Sequence, residues 1–128
     1  MKFKKIRKLP LLVMLFSLGC KEKLLIISDP NYAIGYIDDY SPRYNAIKGH
    51  INFHFFVENK LVSNGYSNLD NGWTVPDDAK LVTGDMFMLQ YSQHESRTAR
   101  IIFCYPIKDS TEFNNYLTQF LTTAPSCY

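Results

Sequence analysis

The chain has 128 residues, with 14 Lys+Arg against 12 Asp+Glu, 46% hydrophobic side chains and 15% aromatic ones. That length corresponds to one domain rather than a large multidomain enzyme. The aromatic and apolar content excludes a disordered chain, and the composition is not that of a collagen, a coiled coil or a disulfide-dense toxin.

The formal charge of +2 is unevenly distributed. Lys2, Lys4, Lys5, Arg7 and Lys8 crowd the start, and no acid precedes Glu22. Without residues 1–19, nine of the 14 basic residues remain against all 12 acids, a balance of −3. Phosphate binding needs clustered Lys and Arg. The remaining ones are scattered singly, which argues against a nucleic-acid partner.

The basic start is followed by an apolar run, Leu9 to Leu18, and then by Gly19-Cys20. This order reads as a secretory signal peptide over residues 1–19. A membrane-spanning helix needs about 20 apolar residues. The run is about half that, and Lys21-Glu22-Lys23 ends it. The segment Leu15-Phe16-Ser17-Leu18-Gly19-Cys20 resembles the lipobox of bacterial lipoproteins, in which cleavage precedes a cysteine already carrying diacylglycerol. The resemblance implies acylation of Cys20, anchorage of the exported chain to a membrane of the cell envelope, and a tether over residues 20–31. Two or more acyl chains anchor stably where one does not. An ordinary signal peptide, or a short uncleaved anchor, with an incidental cysteine is the alternative.

The domain is expected over residues 32–128. Tyr32 to Tyr40 reads as a first strand, broken at Ser41-Pro42-Arg43-Tyr44-Asn45. Lys48 to Glu58 alternates cleanly: Ile51, Phe53, Phe55 and Val57 on one face, His50, Asn52, His54 and Phe56 on the other. That period of two marks a strand. Glu58-Asn59-Lys60 reads as a hairpin turn and Leu61 to Tyr66 as the returning strand, with Asn64-Gly65 as a bulge or early turn. Residues 67–84 are loop-rich around Trp73. Asp85 to Ser92 and Ala99 to Ile107 read as two further strands joined by the polar residues 93–98.

The period then changes. Asp109-Ser110-Thr111-Glu112 resembles a capping box. Phe113, Tyr116, Leu117, Phe120 and Leu121 follow with helical spacing, giving an amphipathic helix over 110–122 stopped at Ala124-Pro125. The expected fold is α+β: a small antiparallel sheet or partly closed barrel of four to five strands, with one C-terminal helix. The order of a glycine-containing first strand, the INFHFFVENKLV hairpin and the strands around Gly84-Asp85 and Tyr105-Pro106 resembles small secreted or membrane-anchored bacterial proteins of unknown function. The likeness implies a lipid-anchored β domain and carries no catalytic residues.

Candidate chemistry is sparse. With Cys20 acylated, Cys104 and Cys127 remain for one disulfide in an oxidising compartment, or stand as two free thiols. No metal site is expected. His50 and His54 share a strand face but stand about 13 Å apart, too far for one ion with bonds of about 2 Å. Asp38 and Asp39 are adjacent on a strand and should point to opposite faces. Asp77 and Asp78 read as loop solvation. Nucleophile, phosphate-loop and dinucleotide motifs are missing. No catalytic residue or cofactor is assigned.

The aromatics exceed what a small core requires. Tyr36, Phe56 and Trp73 are the candidates for an interaction surface. In the blander reading, loop 67–84 covers the open sheet face with Trp73 as its anchor. The expectation is a membrane-anchored binding module of the cell envelope, with an envelope protein or glycan as its partner. A small exported hydrolase or a purely structural envelope component is the alternative.

Overall fold

The computed structural model describes residues 25–42, 49–76 and 80–126. The calls on Cys20, Asp77, Asp78 and Cys127, and on the signal segment, lie outside the described residues. Five strands form one antiparallel sheet: β1 (Pro30–Ser41), β2 (His50–Val57), β3 (Lys60–Ser67), β4 (Met86–Ser92) and β5 (Ala99–Pro106). Their order is β3-β2-β1-β4-β5, with β1 at the centre. Among the described residues one α-helix, α1 (Ser110–Phe120), is present, and it follows β5. The α+β sheet-plus-helix architecture expected from the sequence is present, as an open sheet rather than a barrel.

The two faces of the sheet are covered differently. The alternation in β2 places Ile51, Phe53 and Phe55 on the inner face, all fully buried. They join Ile37, Phe87, Leu89, Tyr91 and Ile101 in the main core. The sheet curls over this core far enough for a side chain on one edge strand to reach the backbone of the other. The Tyr66 hydroxyl on β3 accepts from the backbone N–H of Ile101 on β5 at 3.1 Å and lies 3.5 Å from the Ile101 carbonyl. No strand ladder joins β3 to β5, so side chains alone span the gap. Gly35 lies where the curl is tight: a Cβ there would stand 2.5 Å from Ile101 Cδ1 and 3.0 Å from Leu89 Cδ1.

On the outer face, α1 packs over β1, β4 and β5. Tyr105, Tyr116 and Phe120 meet ring to ring, with Tyr105 centroids 5.1 and 5.0 Å from the other two, and Tyr32 lies 5.0 Å from Phe120. Asp109 caps the helix by accepting from the Glu112 amide at 2.9 Å. Glu112 returns the bond to the amide of Lys108 at 2.7 Å, one residue before the cap. Leu121 departs from the expected stripe. The regular helix ends at Phe120, and Leu121 is 84% exposed.

Several local expectations are corrected. The described part of the tether, from Leu25 onward, belongs to the domain. Leu25 donates its amide to Asn71 and accepts from the Trp73 indole at 3.1 Å, and Ile27 is buried in the main core. Asp29 receives hydrogen bonds from the Ser92 hydroxyl at 3.0 Å and the His94 amide at 3.1 Å. Desolvation works to raise its pKa, but these bonds, with the nearby His94 ring, outweigh it and hold the carboxyl below the usual range. Asn64-Gly65 is neither bulge nor turn, because β3 runs through it with unbroken register. A glycine is required there, since a Cβ would collide with the Asn52 side chain and the Ile51 carbonyl. The turn sits where Glu58 and Asn59 both take positive φ, 50° and 65°, the form that matches strand twist in a two-residue hairpin.

Candidate functional site

Helix α1 covers only half of the outer face. Over β2 and β3 that face is open, and there the alternation of β2 presents His50, Asn52, His54 and Phe56 as read from the sequence. Register brings neighbours from the flanking strands beside them. Tyr36 on β1 lies directly across from His54, and Leu61 on β3 directly across from Phe56. Phe56 is 50% and Leu61 61% exposed.

The rings are arranged as a platform. Tyr36 stacks on His54 with centroids 4.9 Å apart and planes 11° from parallel. Phe56 stands edge-on to both, 6.3 Å from Tyr36 and 5.8 Å from His54. A shallow hollow of about 290 Å³ separates the platform from the start of α1, lined by Tyr32, Ile34, Tyr36, Phe56 and Phe113 among others. Aromatic planes left half-wet in this way offer both apolar area and ring-face contacts.

Polar groups border the rings. His54 Nδ1 donates to Asp38 Oδ1 at 2.7 Å, which leaves Nε2 without a protein partner among the described residues. Asp38 reaches His54 because β1 carries a bulge. Ile37 pairs with Phe53 and Asp39 with Asn52, so Asp38 is the extra residue between them. The bulge also overturns the expected alternation. Asp39 lies across from Asn52 on the same open face that Asp38 reaches, and both are exposed. The bulge lets Ile37 and Tyr40, three positions apart, both pack on the main core, a spacing no unbulged strand allows.

His50 is held by Asn52 Oδ1, 3.0 Å from its Nε2, and by Ser67 Oγ, 3.1 Å from its Nδ1. Among the described residues, no group of three His, Cys, Asp or Glu side chains is placed to hold a metal ion. The His54–Asp38 pair orients an imidazole as a general base would need. Ser63 lies across from His54 on β3, yet it makes no hydrogen bond to it. The imidazole leans the other way, over Tyr36. The arrangement can therefore stack, donate and accept; among the described residues no hydroxyl or thiol is hydrogen-bonded to His54.

The third surface candidate is corrected. Trp73 is 3% exposed and packs against Tyr66 at 5.3 Å on the inner face. Its indole N–H is satisfied by the Leu25 carbonyl at 3.1 Å. Loop 68–76 does fold over the sheet with Trp73 as its anchor, but over the inner face, which leaves the outer platform open. Leu61 belongs to that platform and was missed, because an exposed leucine in a strand carries no signal of its own.

Cys104 is disulfide-bonded. Compared with models of protein families, with curated proteins and with solved structures, the chain matches none of them.

Proposed function

We propose that this chain is an envelope lipoprotein, held to a membrane by acylated Cys20, whose domain binds a saccharide on the Tyr36–His54–Phe56 platform. The observation that carries the binding half is the uncovered ring platform beside α1. A single exposed aromatic is ordinary; three in mutual contact on the open half of an otherwise packed face are not. Flat ring faces suit the apolar face of a pyranose. The Asp38 carboxylate and the Nε2 of His54, which has no partner among the described residues, suit its hydroxyl groups. The signal segment and Gly19-Cys20 support the anchoring half.

Cell-wall sacculi provide the test. Wild-type protein should co-sediment with them, and a Tyr36→Ala/Phe56→Ala variant should bind about tenfold or more weakly, the loss of two ring contacts of about 1 kcal/mol each. Equal sedimentation of the two proteins, or none by wild type, would remove the saccharide reading.

A further inference from the structure

We infer that the domain rests directly on the lipid surface through a face formed by Leu25, Ile26 and Leu121. The inference depends on the lipoprotein reading above and goes beyond it. The lipid then acts as more than a distant leash.

Three observations meet at this face. The first is exposed apolar area. Ile26 is 75%, Leu121 84% and Leu25 43% exposed. They border two hollows that share one wall, Pro30 and Tyr32. One hollow, of about 350 Å³, opens beside Leu25 and Ile26, and the other, of about 500 Å³, beside Leu121. The chain leaves large aliphatic side chains in water here although their neighbours are packed, Ile27 buried in the main core and Phe120 partly buried between α1 and the sheet.

The second observation is charge. No side chain from Leu24 to Ser28 is charged, and none from Phe113 to Tyr128. These are the segments that supply Leu25, Ile26 and Leu121. Their polar members are Ser, Thr, Asn and Gln, which a headgroup layer accepts without the cost of desolvating an ion. The charged groups nearby are engaged by the domain. Asp29 is turned to Ser92 and His94. Asp70, next to the Asn71 that pairs with Leu25, accepts from the Ser67 amide. Arg100, which lines the same hollow as Leu25 and Ile26, is buried.

The third is reach. Cys20 precedes Leu25 by five residues, and five residues span at most about 17 Å whatever their conformation. An acylated Cys20 therefore holds Leu25 within that distance of the headgroups, and insertion of Ile26 becomes an intramolecular step at high effective concentration. The same anchor leaves the opposite end of β1, near Val82 and Asp85, turned away from the bilayer.

Three single-tryptophan additions test this in the full-length, processed protein: Ile26→Trp, Leu121→Trp and Val82→Trp. Each is reconstituted in phosphatidylethanolamine–phosphatidylglycerol vesicles, with and without bromine on the acyl chains. Native Trp73 is buried and supplies a constant background. Brominated lipid should quench the added tryptophan at 26 and 121 by half or more, and that at 82 negligibly. Equal quenching at all three positions, or none at 26 and 121, would overturn the face even with Cys20 acylated. The mass of the N-terminal peptide from the same preparations separates the two failures. An unmodified Cys20 removes the anchor and this inference together; an acylated Cys20 without selective quenching removes the inference alone.

Discussion

Tyr66 shows how much one side chain can hold. Its hydroxyl is the bridge between the two free edges of the sheet, serving both backbone groups of Ile101. Burial pushes the phenol well above the usual tyrosine range, with the Ile101 bond and the charge of Arg100 acting in the opposite sense. Removing the hydroxyl leaves a buried Ile101 N–H without an acceptor. Tyr66→Phe should therefore cost about 1–3 kcal/mol, measured by urea unfolding. The pH dependence follows from the same phenol. Its folded pKa lies above the unfolded value of about 10, so its contribution is complete below that pH and is lost as pH rises beyond it. The melting temperature of wild type should fall more steeply above about pH 10 than that of Tyr66→Phe. Some alkaline loss should persist in the variant, because Tyr91 and Tyr116 are raised in the same direction by desolvation. None of this was legible in the sequence, where Tyr66 closes an unremarkable strand. Its role comes from a contact between strands that are not neighbours in the sheet.

Elements were the most legible scale. β2 and α1 repeat their periods cleanly, so one face of each had to be apolar, and hydrogen bonding left few other arrangements. The helix start was readable because Asp109 and Glu112 stand at cap spacing. Asp109→Ala should cost about 1 kcal/mol, within a range of roughly 0.5–2. Thermal unfolding would register it, and an unchanged melting temperature would show that the Glu112–Lys108 bond alone suffices. Two departures have physical causes. A bulge adds a residue to β1 without changing its composition, so the side on which Asp38 falls could not be counted from an assumed alternation. Leu121 continues the stripe in sequence, but the regular helix ends one residue earlier.

At the scale of the whole molecule, the two faces of the sheet divide the work. The inner face is closed by Trp73, Val75 and Ile27, which come from segments that read as loop and tether. The outer face is half closed by α1 and half left as the ring platform. This division was the least legible feature, because it depends on which face each loop crosses. The resulting molecule has an exposed aliphatic face at Leu25, Ile26 and Leu121 and a polar-edged aromatic platform along the sheet, with Tyr36 about 20 Å along β1 from Pro30. The cysteines tie this picture to the anchor. Cys104 is bonded, and a thioether at Cys20 would leave Cys127 as its partner. That bridge would close a loop worth about 3 kcal/mol in the chain-entropy account. A non-reducing peptide map of the mature protein should show the Cys104 and Cys127 peptides joined. A Cys20–Cys104 link in their place would contradict both the pairing and the acylation.

The anchor is the claim on which the rest depends, and one measurement reaches it directly: the mass of the N-terminal peptide of the protein recovered from membranes, beside a Cys20→Ser variant. Cys20 should be the first residue and should carry a diacylglyceryl thioether, and the variant should lack this modification. A first residue other than Cys20, or a Cys20 of unmodified mass in membrane-bound protein, would contradict the anchor.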